Sequence, residues 1–183
     1  MKYTIPLFAL LIITVLCCKK DDLDCPPDLP CATQTGANTF GCYIDGKPWV
    51  ADVAPYIWDP MVHKLQAWLD EPDYGTYHNN FLHIAASSVD SFAHDFISMT
   101  FAPVTSIGSL DHNFLTTFFS INSYLTSGLY SIDTTAPYDI ALTKIDHKSR
   151  IVSGYFSFTA LTKGKEDTIH VTDGRFDVRY YPE

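Results

Sequence analysis

Seven histidines are the side chains of this sequence best suited to metal binding and acid–base chemistry. They are His63, His78, His83, His94, His112, His147 and His170. No two of them form a His-Glu-x-x-His or His-x-His pattern, the spacing that a dedicated metal site usually shows. The sequence also has no Gly-x-Ser-x-Gly elbow, phosphate loop or dinucleotide fingerprint. We therefore expect solvated or half-buried histidines, no metal, no cofactor and no enzymatic activity.

Carboxylates form one tight cluster, at Asp70, Glu71 and Asp73. Carboxylate oxygens are the ligands that Ca²⁺ prefers, so a calcium site is one interpretation. The spacing does not match the twelve-residue EF-hand loop, which has a glycine at its sixth position. A solvated acidic loop is the better interpretation of this cluster.

Aromatic residues are the third group that could recognise a ligand, with 11 Tyr, 12 Phe and 3 Trp in the chain. Trp58, Trp68 and Tyr74 lie in the irregular first half, among polar neighbours. Exposed rings of this kind suit flat stacking on sugars or peptides, and we take these three as the candidate stacking residues. Packing in a β core is the competing interpretation, because aromatic pairs are common there.

The N-terminus has the organisation of an export signal. It consists of Lys2, an apolar run over residues 5–16 and the pair Cys17-Cys18. The run is shorter than the about 20 apolar residues that a membrane-spanning helix needs. Its end resembles a bacterial lipobox, in which the cysteine after the cleavage site is lipidated. Cleavage before Cys17 and cleavage before Cys18 are the two possible registers. Because a small residue is preferred before the cut and Cys17 is smaller than Leu16, we predict a signal peptide over residues 1–17 and lipidation of Cys18.

This signal predicts an outer-membrane lipoprotein that is periplasmic or surface-exposed and held to the membrane by its N-terminal lipid. Two or more acyl chains anchor a protein stably, whereas one gives marginal binding. The formal charge of −9 argues against nucleic acid as a partner, which would require clustered Lys and Arg.

Three further cysteines, Cys25, Cys31 and Cys42, would remain in an oxidising compartment. We expect a Cys31–Cys42 disulfide that pins the tether to the folded domain. A Cys25–Cys31 disulfide is the competitor, although the proline-rich segment between those two residues is stiff.

The rest of the chain divides into a tether over residues 18–38 and a single β domain over residues 39–183. The tether is rich in Pro, Asp, Thr and Gly and has no apolar period. The domain shows short runs of alternating apolar and polar residues separated by turn signals such as Asp45-Gly46. This pattern predicts an all-β fold, an antiparallel β-sandwich or a barrel-like meander.

The C-terminal runs have the most regular alternation. Residues 168–171 and 175–180 are expected to form a hairpin in which Gly174 takes a positive φ at the turn. The period of two places Phe176 on the buried face and Asp177 on the exposed face. We therefore expect loss of the Phe176 side chain to be strongly destabilising and loss of the Asp177 side chain to be nearly neutral.

Three stretches resemble an uncharacterised family of Bacteroidetes lipoproteins, classed as a domain of unknown function. They are residues 32–49 (ATQTGANTFGCYIDGKPW), 152–158 (VSGYFSF) and 171–178 (VTDGRFDV). The resemblance implies a source and an envelope location. It implies no activity and carries over no functional residue.

The sequence thus favours a lipid-anchored, non-enzymatic binding or interaction module, whose partner is an envelope protein or a glycan. One alternative is a secreted hydrolase whose catalytic carboxylates are brought together only by folding. Another is a glycan-binding accessory module that uses the aromatic residues named above.

Overall fold

The computed structural model describes residues 25–52, 65–69, 81–90, 93–101, 104, 106–110, 118–123, 126–162, 164 and 166–182. All regular structure in these ranges is β-strand, which confirms the all-β prediction. Among the same residues there is no helix of the length and apolarity needed to cross a bilayer.

The strands of the described chain are short in the first half and long at the C-terminus. They are β1 (Thr39–Ile44), β2 (Lys47–Val50), β3 (Leu65–Leu69), β4 (Leu82–Asp90), β5 (Ala93–Phe101), β6 (Gly108–Ser109), β7 (Phe118–Ser123), β8 (Thr126–Ile132), β9 (Asp139–Asp146), β10 (Ile151–Thr162), β11 (Thr168–Arg179) and β12 (Tyr181–Pro182).

Two sheets pack in a sandwich-like arrangement that is not a closed barrel. The larger sheet has eight strands, six of which lie in the order β2-β1-β11-β10-β8-β7. Along one edge of β10, residues 160–162 pair with β8 and residues 151–157 pair with β9. Strand β9 in turn pairs with β6. The smaller sheet has the order β12-β3-β4-β5. The assigned pairs are antiparallel apart from β12 with β3. The last two strands follow directly on one another, so the chain passes from the large sheet to the small one at Tyr180.

The core lies between the inner faces of the two sheets. Strand β5 contributes Ile97, Met99 and Phe101, which alternate along the strand and are fully buried. The Phe101 ring stacks across the sandwich on the Phe176 ring of β11, with the ring centroids 6.4 Å apart. Because Phe176 is buried, we still expect Phe176→Ala to be strongly destabilising and to lower the free energy of unfolding by about 3–5 kcal/mol.

The predicted Asp45-Gly46 turn is confirmed. It joins β1 to β2, and both residues have positive φ, at 48° for Asp45 and 75° for Gly46. This is the backbone conformation that a two-residue type I′ hairpin turn requires.

The predicted C-terminal hairpin is wrong, because residues 168–179 form one continuous strand, β11. The strand is central and pairs with β1 on one side and β10 on the other. A β-bulge lies at residues 172–174, where the register shifts against both neighbours and Asp173 is paired with neither. Asp173 takes the positive φ, 51°, that was expected for Gly174. A bulge absorbs a left-handed residue within a strand, and so the Asp-Gly pair does not end it.

Gly174 is required for a different reason, a close approach by an aromatic ring. It lies opposite Phe156 of β10, while Gly154 of β10 lies opposite Phe176. A Cβ atom on Gly174 would stand 2.3 Å from Cδ2 of Phe156, and one on Gly154 would stand 2.6 Å from Cζ of Phe176. Each glycine therefore leaves the space that the opposite ring fills in the core.

Gly174→Ala should lower the free energy of unfolding by about 2–3 kcal/mol, because the new methyl group overpacks the site against Phe156. Gly164→Ala is the control, since its Cβ would meet no atom closer than 3.4 Å. The control should stay within about 0.5 kcal/mol of the wild type. Urea unfolding of the full chain measures both, and equal losses would contradict the packing of this ring over Gly174.

Candidate functional site

The N-terminal residues 25–38, here called the strap, lie across the outer face of the large sheet. Gly41 of β1 is close to Pro30 of the strap, because a Cβ there would stand 2.8 Å from the proline Cδ. Leu29 is 7% exposed, and its N–H donates to the carbonyl oxygen of Pro26. Residues 25–38 of the predicted tether are therefore packed on the domain.

The expected Cys31–Cys42 disulfide is wrong. Cys31 bonds to Cys25, with their Cα atoms 4.2 Å apart. The prolines between them shape a compact turn rather than preventing closure. Cys42 is a free thiol in the core on the inner face of β1, whereas the strap lies on the outer face. Burial raises the pKa of the Cys42 thiol to about 12, so it is an unreactive core residue.

Asp177 of β11 is the residue that holds the strap, and it is 1% exposed. Its Oδ2 accepts hydrogen bonds from the Thr33 hydroxyl at 2.5 Å and from the amides of Thr35 and Ala37 at 2.9 and 3.1 Å. Its Oδ1 accepts from the Gly36 amide at 2.8 Å. With a longer hydrogen bond from the Thr35 hydroxyl to Oδ2 at 3.4 Å, five hydrogen bonds tie residues 33–37 of the strap to one carboxylate.

The sheet itself contributes a further donor to this carboxylate. The Ser153 hydroxyl of β10, opposite Asp177 in register, donates to Oδ1 at 2.8 Å. Burial raises the pKa of the Asp177 carboxyl, but the hydrogen bonds from Thr33, Ala37, Ser153 and Gly36 outweigh it and leave the pKa below its usual value. The face predicted for Asp177 is correct and its predicted exposure is wrong, because the strap covers that face.

Two other contacts fix the strap at its sides. The Lys144 ammonium of β9 donates to the Gln34 carbonyl oxygen at 2.7 Å. The amide of Arg179 in β11 donates to the Asn38 side chain at 3.0 Å. Hydrogen bonds thus connect the strap, or the carboxylate that holds it, to β9, β10 and β11, and Pro30 lies against β1.

A groove with a volume of about 560 Å³ opens between the strap and the sheet. Residues 31–34 of the strap line one side, and residues 154–157 and 172–176, with Asp139 and Thr143, line the rest. Ligand pockets usually have volumes of about 300–1,000 Å³ and combine apolar surface with a few polar groups. This groove, here called the strap groove, is therefore the candidate functional site.

Three kinds of side chain line the strap groove. Tyr155 is 40% exposed and lies between Ala141 and Arg175 on the neighbouring strands. Arg175 is 7% exposed, and its Nε donates to the carbonyl oxygen of Asp173 at 3.3 Å. Asp139 and Asp173 are exposed carboxylates of the lining. The groove therefore offers an aromatic ring, hydrogen-bond donors and hydrogen-bond acceptors together.

Trp68, the predicted stacking residue that lies within the described part of the chain, is not among the lining residues of this groove. Trp68 lies on the outer face of the small sheet, with its ring centroid 5.3 Å from that of His83. The Nδ1 atom of this histidine is 2.9 Å from the Thr100 hydroxyl. Trp58, Tyr74 and Cys18 lie outside the described residues, and so does the acidic cluster at residues 70–73. Within the described residues, no group of three or more His, Cys, Asp or Glu side chains could hold a metal ion.

Comparison with protein-family models, with curated proteins and with solved structures finds no match to this chain.

Asp177→Asn should lower the free energy of unfolding at neutral pH by about 2–3 kcal/mol, because the Asn amide replaces an acceptor with a donor that faces other donors. A carboxyl whose folded pKa is depressed stabilises the fold above its unfolded pKa of about 3.9, and this stability is lost as pH falls through the folded value. The difference between wild type and variant should therefore be largest above pH 4 and shrink in stronger acid. Urea unfolding at a series of pH values measures it.

Asp139→Asn is the matched control, because Asp139 is an exposed carboxylate of the same sheet face. It should change the free energy of unfolding by no more than about 0.5 kcal/mol. Asp146 also contributes to the acid dependence, because hydrogen bonds from Ser149 lower its carboxyl pKa. Its contribution is common to wild type and variants and cancels in the difference. A pH-independent gap between wild type and Asp177→Asn would contradict the role assigned to the carboxylate.

Proposed function

We propose that this chain is a lipid-anchored, non-enzymatic binding module of the bacterial cell envelope, and that its ligand occupies the strap groove. The lipobox-like sequence at Cys18 and the resemblance to Bacteroidetes lipoproteins support the envelope location. The observation that carries the proposal is the attachment of the strap to Asp177, since this attachment forms one wall of the groove.

The short distance between the lipid and the strap supports a location close to the membrane surface. Cys18 and Cys25 are seven residues apart in the sequence. Even a fully extended chain of this length spans no more than about 25 Å. With residues 25–38 held on the sheet, the groove cannot stand far from the bilayer, and its ligand is expected to be a component or neighbour of that surface.

The surroundings of three carboxylates, Asp177, Asp139 and Asp173, favour a binding function over hydrolysis. The buried carboxylate, Asp177, accepts hydrogen bonds from the strap and from Ser153 and has a structural role. A hydrolase holds the proton on its catalytic acid by burying it in apolar surroundings. Asp139 and Asp173 in the groove are both exposed to solvent, and this arrangement suits hydrogen bonding to a ligand.

Radiolabelled palmitate supplied to bacteria that express the chain should enter the wild type and not Cys18→Ala. Cys17→Ala is the matched control, because it replaces the neighbouring thiol with another small residue and should leave the labelling intact. Labelling of Cys18→Ala to the wild-type level would exclude Cys18 as the lipidated residue.

Binding in the strap groove should appear as slower amide hydrogen exchange in residues 31–34 and 172–176. The full chain in detergent would be mixed in turn with the polysaccharide, protein and lipid fractions of the envelope. Exchange in residues 82–90 of β4, on the other sheet, should not change and serves as the internal control. Protection of the groove by one fraction supports the proposed function, and no protection by any fraction contradicts it.

A further inference from the structure

We propose that the ligand of the strap groove is a neutral carbohydrate, with Tyr155 as the ring on which a sugar stacks. This inference rests on the proposed function of the groove and specifies its ligand class. It is carried by one juxtaposition, an exposed tyrosine ring that shares a cavity of ligand size with acceptor and donor side chains.

The position of Tyr155 suits stacking. Its side chain projects from the outer face of β10, which the strap covers only in part, and 40% of the residue is exposed. The neighbour opposite it on β9 is Ala141, whose single methyl group is too short to cover a tyrosine ring. An aromatic ring exposed in this way offers an apolar face to the C–H groups of a pyranose, while its hydroxyl stays available to water or ligand.

The polar groups of the groove match sugar hydroxyls. A hydroxyl group both donates and accepts hydrogen bonds, so it can pair with an ionised carboxylate and with a guanidinium. Asp139 and Asp173 are acceptors only, and Arg175 is a donor only. Hydrogen bonds to charged groups are about twice as strong as those between neutral groups, which suits the recognition of an uncharged ligand with many hydroxyls.

The charges of the groove disfavour the other ligand classes. A phosphate, sulfate or uronate group would approach two exposed carboxylates on a chain with a formal charge of −9. A basic peptide would be attracted by the two carboxylates and opposed by the Arg175 guanidinium of the lining, and protection of the groove by the protein fraction is the outcome that would identify it. An apolar segment would remove the two exposed carboxylates from water without pairing them, which is unfavourable. The hydroxyls of a neutral carbohydrate can donate hydrogen bonds to both exposed carboxylates while one of its rings stacks on Tyr155.

The test is binding of defined neutral oligosaccharides by the full chain in detergent. The probes are the disaccharides and tetrasaccharides of glucose, mannose, galactose and N-acetylglucosamine, followed by NMR saturation transfer and calorimetry. Oligogalacturonate and heparin fragments are the anionic counterparts. We expect at least one neutral probe to bind, more tightly than either anionic probe.

Tyr155→Ala should weaken that binding by about tenfold or more, as expected for loss of an aromatic contact. Tyr155→Phe should keep the affinity within about threefold, because it retains the ring. Tyr181→Ala is the matched control. Tyr181 is a tyrosine of comparable exposure, 53%, on the small sheet, so its variant should bind as the wild type does.

Three outcomes would overturn the inference: no neutral probe binds, Tyr155→Ala binds as tightly as wild type, or Trp68→Ala abolishes binding while Tyr155→Ala does not. Hydrogen exchange with the envelope fractions distinguishes failure of the carbohydrate inference from failure of the proposed binding function. If the protein or lipid fraction protects the groove and the polysaccharide fraction does not, the carbohydrate inference fails and the binding function stands. If no fraction protects the groove, both fail.

Discussion

The buried carboxylate of Asp177 is the constraint on which the outer face of this molecule depends. Removing a carboxylate from water is very unfavourable unless its lone pairs are filled by hydrogen bonds. Here the donors come from the strap at Thr33, Thr35, Gly36 and Ala37 and from β10 at Ser153. If the strap left the sheet, this carboxylate and the strap amides would lose their hydrogen bonds to one another. The wall of the groove is therefore maintained by the same interaction that stabilises the large sheet.

The alternation of residues in β11 was readable from the sequence, whereas the burial of its outer face was not. A period of two assigns Phe176 and Asp177 to opposite faces, and that assignment is correct. Whether the polar face is wet depends on what covers it. The covering segment lies about 140 residues earlier in the chain, and its threonines and glycine are typical of a linker. No local pattern connects these segments, and so the sequence predicted the core and missed the strap.

The same Asp-Gly dipeptide has two different structures in this chain. Turn-forming residues alone therefore do not determine whether the chain reverses direction. Asp45-Gly46 ends β1 and makes the hairpin to β2. Asp173-Gly174 lies within a strand that is paired on both sides, and its left-handed aspartate becomes a bulge. Gly174 is fixed by the Phe156 ring rather than by its own φ. Local residue preferences specify a conformation, but the neighbouring strands decide whether the chain reverses there.

The candidate site could not be found from spacing, because four separate segments build it: the strap, β9, β10 and β11. The irregular first half of the sequence indicated Trp58, Trp68 and Tyr74 as stacking residues, whereas Tyr155 lies within the long strand β10. The outer face of a strand that is paired on both sides is a rigid platform that can hold a ring in place. Under the proposed lipidation of Cys18, Asp177 also couples two properties. Its carboxylate holds residues 33–37 on the sheet, which forms one wall of the groove. The same contacts shorten the segment between the lipid and the domain, so one interaction sets both the geometry of the groove and its distance from the membrane.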